Sequence, residues 1–474
     1  MSVTDTSVAP RLATDQPGAM AMLAVLFVVS MTIPVFVHLG PLLLMPHRLL
    51  LLLAFFPCFV RVFVMRSCGG AHAFDWLMLF AGFWAVVALM VNHGPLRVIE
   101  PAGILVLETF GAYLLARATL RSSADFRLFA KTLFFVLIFF LPFAVLESLT
   151  LRPVFLDVFP FNSVRPADAG VRMGMRRAQT AFAHPILYGA FAVMSFGIVF
   201  FCLRGMLRRL VGGVAAILST FFALSSGPLI GLITQFGLVV WHYAAQRIPR
   251  RWTIFGWLAL AGYVSIDLLS NRTPFHVLVT YASFNTGSAY NRIRIWDYGM
   301  ENVAENPIFG LGMREWIRPS WMVVSIDNFW LFLSMHYGLP MIISVLIAMV
   351  LIVRRISWAK LPDKDDLLCR TGFLISFGGM FLAGATVHYW HAIQAMSFFI
   401  IGSGIWMVTG GAKQLLDEPG NVEAANTTSR SRYSRFPVKL APSSGGHPAP
   451  GASSARSVPS GSGRAFNARS PHSR

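Results

Sequence analysis

Arginines are the residues of this chain whose type and placement point to chemistry. Two polar segments between long apolar stretches, 150–184 and 271–326, carry five arginines each. A guanidinium presents a planar fork of donors that matches the oxygens of a phosphate group. Clustered arginines also repel one another unless an anion screens them. Both segments are therefore candidate binding sites for an anionic, phosphorylated ligand.

The first segment contains Arg172, Arg176 and Arg177, followed by His184. A helix over 171–180 would place Arg172 and Arg176 on one face, because residues four apart are neighbours on a helix. His184 stands at the start of an apolar stretch, where a helix N-terminus favours negative charge. We predict an anion site here. For His184 the sequence leaves two interpretations open, a helix cap and a direct contact with substrate.

In the second segment, residues 290–305 are predicted to form a helix. At about 100° per residue, Arg292 faces the same way as the apolar Trp296, whereas Arg294 faces carboxylates at helical spacing. An unpaired cation on a buried face is unfavourable, so Arg292 needs an anion from elsewhere. Arg294 is interpreted as a surface ion pair. Arg292 is therefore the principal candidate of this segment, with Arg314 as a secondary phosphate contact.

A third group of candidates, Asp327, Asn328 and His336, opens the next apolar stretch. Asp327 and Asn328 stand where a helix N-cap is expected, so capping is the plain interpretation. A carboxylate or an imidazole at this place could instead take a proton from a hydroxyl group. The helix N-terminus and the arginines are expected to lower the pKa of Asp327 and weaken it as a base. His184 is therefore its rival, and His336 is a third candidate.

Transmembrane helices are the elements that would position these residues. Of the 474 residues, 55% are hydrophobic and only 13% are charged, whereas a soluble domain carries about a quarter charged residues. We predict an all-α polytopic membrane protein, because a span needs about 20 mostly apolar residues. Twelve candidate spans lie near 20–38, 42–64, 75–92, 102–117, 129–149, 185–203, 210–225, 228–244, 253–270, 327–353, 371–388 and 392–409.

The loops between these spans predict the orientation. Most basic residues fall in the short loops on the side of both termini, whereas the short loops on the other side hold only Arg48 and Arg97. Short cytoplasmic loops are enriched in Lys and Arg, so both termini are predicted to be cytoplasmic. Segments 150–184 and 271–326 then lie outside, as partly helical loops over the mouth of the bundle.

The chain divides by composition into three parts. Residues 1–19 form a polar cytoplasmic N-terminal segment, and residues 20–409 form the membrane domain. Residues 410–474 are rich in Ser, Pro, Gly and Arg, with few large apolar side chains, so we predict a disordered basic tail. Such a tail is attracted to anionic membrane lipids. Nucleic acid is not predicted as a partner.

Several of these residues lie in sequences that resemble the O-antigen polymerase and O-antigen ligase superfamily. The run AYNRIRIWDYG at 289–299, then NPIFGLG at 306–312 and Asp327-Asn328 carry the resemblance. The run FAHPILYG at 182–189 is similar to a signature of the exopolysaccharide polymerase branch. Ligases of the superfamily have a His-Asn, His-Ser or His-Gln pair, then nine residues and a glycine. Here Asn328 and Gly338 match that spacing.

Two departures favour the polymerase branch over the ligases. Asp327 stands where the ligases carry histidine, and Met341 stands where they carry a small residue or tyrosine. The resemblance then implies a metal-independent, cofactor-free inverting glycosyltransferase. It would polymerise undecaprenyl-diphosphate-linked repeat units at the periplasmic face of the bacterial inner membrane. Its partners would be lipid-linked glycan donor and acceptor and membrane lipids, with a flippase and chain-length or export proteins as further candidates.

Within that activity the predicted residues take two roles. Catalysis is assigned to Asp327, His184 and Arg292. Substrate contacts are assigned to Arg172, Arg176, Arg177, Trp296, Arg314, Asn328 and His336. His388 and His391 are three apart, but no third or fourth ligand accompanies them, so no metal site is predicted.

Two other functions remain as alternatives. Ligase-type transfer of the glycan to another acceptor uses the same donor chemistry. A lipid-linked oligosaccharide flippase, or another transporter, also fits twelve spans with both termini inside. Transporters carry ionisable groups near mid-membrane on broken helices, whereas the conspicuous charges here gather in the two outer segments. That placement favours an enzyme.

Overall fold

The computed structural model describes residues 16–39, 42–159, 165–168, 170–248, 250–270, 277, 286–361 and 363–409. Most of the predicted N-terminal segment and the whole predicted basic tail lie outside these residues. So do parts of both arginine-rich segments. The described helices all fall within one compact unit, residues 1–418.

The described chain is mostly helical, with two short antiparallel hairpins. Its first half contains α1 Ala21–Ser30, β1 Val37–Leu39, β2 Leu42–Leu44, α2 Pro46–Phe59, α3 Ala73–His93, α4 Pro95–Val106, α5 Ala112–Thr119 and α6 Ser123–Thr150. The π-helical segment Val60–Val64 extends α2. The π-helical segment Leu107–Gly111 joins α4 to α5. The second half contains β3 Val171–Arg172, β4 Met175–Arg176, α7 Pro185–Cys202, α8 Met206–Phe222, α9 Ser226–Ala244, α10 Arg251–Leu269, α11 Thr286–Glu305, α12 Phe329–Tyr337, α13 Leu339–Trp358, α14 Lys364–Gly384 and α15 Ala392–Ser403.

Among the described residues, nine helical stretches are long and apolar enough to cross a membrane, so the chain is a multi-pass membrane protein. They are Pro46–Val64, Ala73–His93, Pro95–Thr119, Ser123–Thr150, Pro185–Cys202, Arg251–Leu269, Leu339–Trp358, Lys364–Gly384 and Ala392–Thr409. The helical class is confirmed. Three of the twelve predicted spans do not meet this description. Of these, α1 with ten residues and α8 with seventeen are shorter than the nine membrane-crossing stretches. α9 is long enough, but its mean hydropathy is lower than that of the nine stretches.

α7 is the central helix of the bundle, because nearly all of its residues are buried. It packs against α14 so closely that a Cβ added at Gly197 would lie 2.7 Å from the carbonyl oxygen of Gly372. Small residues allow such close backbone approach between membrane helices. The packing fixes the start of α7, where His184 lies.

The predicted span 327–353 is wrong as a single helix, because it breaks into α12 and α13 at Gly338. Gly338 has a φ of 80°, and the segment 306–312 hydrogen-bonds to the chain around this break. The amides of Leu311 and Gly312 donate to the carbonyls of residues 335 and 336, at 2.7 and 2.9 Å. The contact holds the end of α11 and the end of α12 together.

Gly338→Ala is expected to destabilise the fold by at least about 2 kcal/mol. A Cβ at this position would lie 2.0 Å from the carbonyl oxygen of Ile308 and would also require an unfavourable positive φ. The measurement is the thermal unfolding midpoint of the purified protein. Gly103→Ala is the matched control, because Gly103 is helical and has open space around its Cβ position. Equal midpoints for the two variants would contradict a stabilising role for the contact between residues 306–312 and the chain around Gly338.

The predicted orientation is testable by cysteine labelling, because all four native cysteines are buried. Cysteines placed at the exposed Gly170 and Tyr290 should react with an impermeant maleimide on intact cells. A cysteine at Met206, which is 67% exposed on the predicted inner side, should react only after permeabilisation. The reverse pattern would place both arginine-rich segments in the cytoplasm.

Candidate functional site

A cavity of about 680 Å³ lies where α7, α9 and α12 begin. We call it the arginine cavity. It is lined by Arg172, Arg177, His184, Ile186, Ser225, Ser226, Arg292, Met313, Arg314, Glu315, Trp316, Val324, Ser325, Ile326, Asp327, Phe332, His336, His388 and Trp390. Seven of the ten predicted site residues are therefore brought together: Arg172, Arg177, His184, Arg292, Arg314, Asp327 and His336. Arg176, Trp296 and Asn328 are not among the lining residues.

The first arginine-rich segment forms a hairpin, so the predicted helix over 171–180 is wrong. Met173 and Gly174 both have positive φ, 55° and 75°, and connect β3 to β4. That backbone matches the right-handed twist of a tight two-residue hairpin. Because strand side chains alternate between faces, Arg172 and Arg176 point to opposite sides of the hairpin.

Arg176 and the chain after it are held by Glu147, a buried carboxylate near the end of α6. The Glu147 Oε1 atom lies 3.5 Å from the Arg176 Nε atom. Its Oε2 atom accepts hydrogen bonds from the amides of Gln179 at 3.3 Å and Thr180 at 2.9 Å. Arg176 thus belongs to an internal ion pair that shapes the segment.

Arg172 and Arg177 are fixed at the cavity by the end of α8. Arg172 donates to the carbonyl of Leu224 at 2.9 Å, and Arg177 donates to the carbonyl of Ala223 at 3.4 Å. The pKa of Arg177 is lowered to about 10, mainly by burial and secondly by the nearby charge of Arg172. Arg177 is still charged at neutral pH. These cations are therefore held close together, an arrangement that an anion would stabilise.

α11 confirms the predicted helix and its two arginine faces. Arg292 is 6% exposed and donates from Nη2 to Ser226 Oγ at 2.9 Å. Arg294 is exposed and lies over the ring of Trp321, 4.7 Å from its centroid. Trp296 packs, half-buried, in a small apolar cluster beside the cavity. Arg292 therefore faces the cavity and Arg294 faces the surface, as the helical spacing predicted.

Three helix N-termini meet at the arginine cavity. Ile186 lies in the first turn of α7, Ser225 occupies the N-cap position of α9, and Asp327 directly precedes the cap of α12. The positive end of each helix dipole and its N–H groups favour an anion. The sequence predicted the N-termini at His184 and at Asp327-Asn328, but not the one at Ser225. The Ser225-Ser226-Gly-Pro sequence is the signal for α9, since serine favours the N-cap position and proline is tolerated in the first turn of a helix.

Asn328, and not Asp327, caps α12. The Asn328 Oδ1 atom accepts a hydrogen bond from the amide of Leu331 at 3.0 Å. Asp327 is left to line the cavity, and burial raises its pKa above the usual range against the opposing charges of Arg292 and Arg177. The predicted lowering of its pKa is thus wrong, because desolvation outweighs the arginines. A raised pKa makes Asp327 a stronger base than an exposed aspartate.

His184 caps α7 and also lines the cavity, so the cap is observed and a direct contact with substrate stays a prediction. Its Nδ1 atom accepts from the amide of Ile186 at 3.2 Å, so the neutral ring carries its proton on Nε2. Burial and the charges of Arg177 and Arg172 lower its pKa to about 4. His184 is therefore suited to donate a hydrogen bond and poorly suited to take a proton.

His336 has the opposite tautomer when neutral. Its Nδ1 atom contacts the carbonyl oxygen of Gly312, so Nδ1 carries the proton and Nε2 is an acceptor. The ring of Phe332 contacts the rings of both His336 and His388, with centroid distances of 4.3 Å and 4.2 Å. His336 is consequently the second candidate base of the arginine cavity.

The loop 311–326 completes the wall. Arg314 donates from Nη2 to Asn92 Oδ1 at 2.7 Å and from Nε to the carbonyl of Leu311 at 3.2 Å. Trp316 donates to the carbonyl of Val324 at 2.9 Å. Sequence reasoning missed Trp316 and the placement of His388, since no local pattern separates a cavity aromatic from an interfacial one.

No family model matches this chain, and no curated protein matches it. Within the described ranges, no three His, Cys, Asp or Glu side chains are grouped so that they could hold a metal ion.

Proposed function

We propose that this protein polymerises undecaprenyl-diphosphate-linked oligosaccharide repeat units into a surface polysaccharide or exopolysaccharide, at the periplasmic face of the inner membrane. One observation carries the proposal: the arginine cavity holds four arginines and three helix N-termini beside Asp327, a partly buried carboxylate. That combination fits a diphosphate leaving group next to a hydroxyl group that must lose a proton. The other acid of the cavity wall, Glu315, is exposed and pairs with Arg318. The carrier lipid and the periplasmic side follow from the sequence resemblance and the loop charges.

The donor half of the reaction needs cations. The bond between the anomeric carbon and the diphosphate oxygen breaks, and its electron pair stays on the diphosphate. Arg172, Arg177 and Arg292 stabilise the charge that develops there, because donors fixed in advance in a water-poor site act strongly on the transition state. His184 adds a neutral N–H donor from Nε2.

The acceptor half needs a base. A sugar hydroxyl of a second lipid-linked unit attacks the anomeric carbon from the side opposite the diphosphate, which inverts its configuration. The hydroxyl proton passes to the Asp327 carboxylate, whose raised pKa suits this role. Trp316, Phe332 and Trp390 supply flat apolar surfaces for the sugar rings.

The pH dependence of the reaction should report this base. Only the deprotonated Asp327 can accept the proton, so activity falls as pH decreases through its pKa. Because burial raises that pKa, the acid limb should lie above the ordinary aspartate range of about 3.9. The measurement is the initial rate of polymer formation against pH. A rate that is flat down to the ordinary range would remove Asp327 as the base.

Ligase-type transfer is the second candidate, and a specific observation favours it. α12 is a nine-residue helix between Asn328 and Gly338, so the ligase-like spacing corresponds to the length of one capped helix. The flippase alternative has less support. The mid-span Glu108 forms a buried ion pair with Arg48 at 2.7 Å, and neither residue is among those lining the arginine cavity.

Deleting the gene distinguishes the three functions by what accumulates. A polymerase deletion should leave single lipid-linked repeat units in the outer leaflet. Loss of a ligase should leave long lipid-linked glycan that reaches no other acceptor. Loss of a flippase should leave single units in the inner leaflet, and either of these last two outcomes would contradict the proposal.

A further inference from the structure

A second cavity, of about 660 Å³, is lined by residues of α9, α10, α13 and α14 and by the chain between α9 and α10. The arginine cavity is lined by Ser225 and Ser226 at the start of α9, whereas the second cavity is lined by Ile248 and Arg250 beyond its end. A helix of this length spans about 28 Å. The two cavities are therefore separate, and the second lies on the predicted cytoplasmic side.

Cations mark one end of the second cavity. Arg250, Arg251 and Arg370 line it, and no acid is found among the described residues of its wall. Arg251 donates to the carbonyl of His242 at 3.2 Å, and Arg370 donates to the carbonyl of Ala359 at 2.9 Å. Backbone carbonyls thus hold both guanidiniums in place. Each guanidinium has five N–H donors, so most remain available to a ligand.

The rest of the wall is apolar and runs along the helices into the membrane domain. Trp252 and Trp358 flank the arginines, as tryptophans do at a membrane interface. Leu374, Phe377 and Phe381 continue the wall along α14. Arg370 and Phe381 are eleven residues apart, which corresponds to about 16 Å along a helix. The first two turns of α10 form another wall of the second cavity. Since α10 buries none of its residues, we expect the face of α10 that points away from the bundle to contact lipid.

We propose that the second cavity binds one anionic phospholipid of the cytoplasmic leaflet. Its phosphate lies against Arg250, Arg251 and Arg370, and one acyl chain lies along the α14 wall. Basic pockets between membrane helices on the cytoplasmic side recognise anionic headgroups in this way. The elongated apolar wall favours a lipid over a free phosphate ion, and the acid-free lining favours an anionic headgroup over a zwitterionic one.

The test uses purified full-length protein and measures lipid binding by native mass spectrometry. Phosphatidylglycerol should bind at least about tenfold more tightly than phosphatidylcholine. The double variant Arg251→Gln/Arg370→Gln should lose about tenfold or more of that affinity, the size expected for a charge-assisted hydrogen bond. The control, Arg66→Gln/Arg208→Gln, removes two exposed arginines outside the cavity wall and should bind as the wild type does.

Gly378→Leu tests the acyl-chain wall while leaving every arginine intact. Gly378 lines the cavity, and a Cβ there would contact Leu238 at 3.5 Å, so a leucine would occupy the space of the chain. The variant should lose phosphatidylglycerol and keep its unfolding midpoint in phosphatidylcholine. Equal binding of the two lipids, or an equal loss in the control, would overturn the proposal. So would wild-type lipid binding by Gly378→Leu, or inorganic phosphate stabilising the protein as much as phosphatidylglycerol does.

Discussion

Asp327→Asn is expected to lower the rate of polymer formation by about 10²–10⁴-fold, the usual contribution of a general base. The amide has nearly the same shape as the carboxylate but cannot accept the hydroxyl proton. The cap of α12 should be unaffected, because Asn328 supplies it. The measurement is the initial rate of chain growth with purified protein and lipid-linked repeat units, at equal amounts of folded enzyme.

Asn328→Ala is the matched control for this prediction. Loss of an N-cap costs about 1 kcal/mol of stability, so this variant should unfold at a lower temperature while it retains most of its rate. His336→Gln tests the rival base, and it should reduce the rate less than Asp327→Asn does. If His336→Gln abolishes polymer formation and Asp327→Asn does not, the roles of these two residues are reversed.

Arg292→Ala is expected to lower the rate by about 10- to 150-fold, since a charge-assisted contact to a desolvated phosphate contributes about 1.5–3 kcal/mol. Arg292→Lys should be nearly as damaging. It retains the positive charge but loses the planar fork, which donates to Ser226 and which we propose also donates to a phosphate oxygen of the donor. The measurement is the same rate assay, together with the affinity for the lipid-linked donor.

Arg294→Ala is the control on the same helix, two residues away and on the exposed face. It removes a cation that stacks on Trp321 outside the cavity, so its effect on the rate should be small. A large loss for Arg294→Ala with a wild-type rate for Arg292→Ala would contradict the assignment of the two faces.

The length and apolar composition of a stretch were sufficient to predict the parts of the fold that depend on a long apolar helix. Nine of the predicted spans correspond to helices that can cross a membrane. The break at Gly338 was not predictable in the same way, because it depends on contact with residues 306–312, which are distant in sequence. The hairpin at 171–176 depends on two positive φ angles, and only Gly174 favours such an angle by itself.

The candidate site shows the same division between local and long-range information. The inward orientation of Arg292 follows from the period of one helix, and the sequence predicted it correctly. The ion pair of Arg176 with Glu147 joins two distant segments, so Arg176 was placed with the cavity arginines. The pKa of Asp327 was predicted in the wrong direction, because its burial depends on several elements that the sequence does not bring together.

The most direct test of the proposed function is reconstitution of the purified protein with lipid-linked repeat units as the only glycan substrate. We expect longer glycan that remains linked to the lipid diphosphate, formed without added nucleotide sugar or divalent metal. Repeat units that stay single while the protein is folded, and that are neither joined nor transferred, would contradict the proposed function.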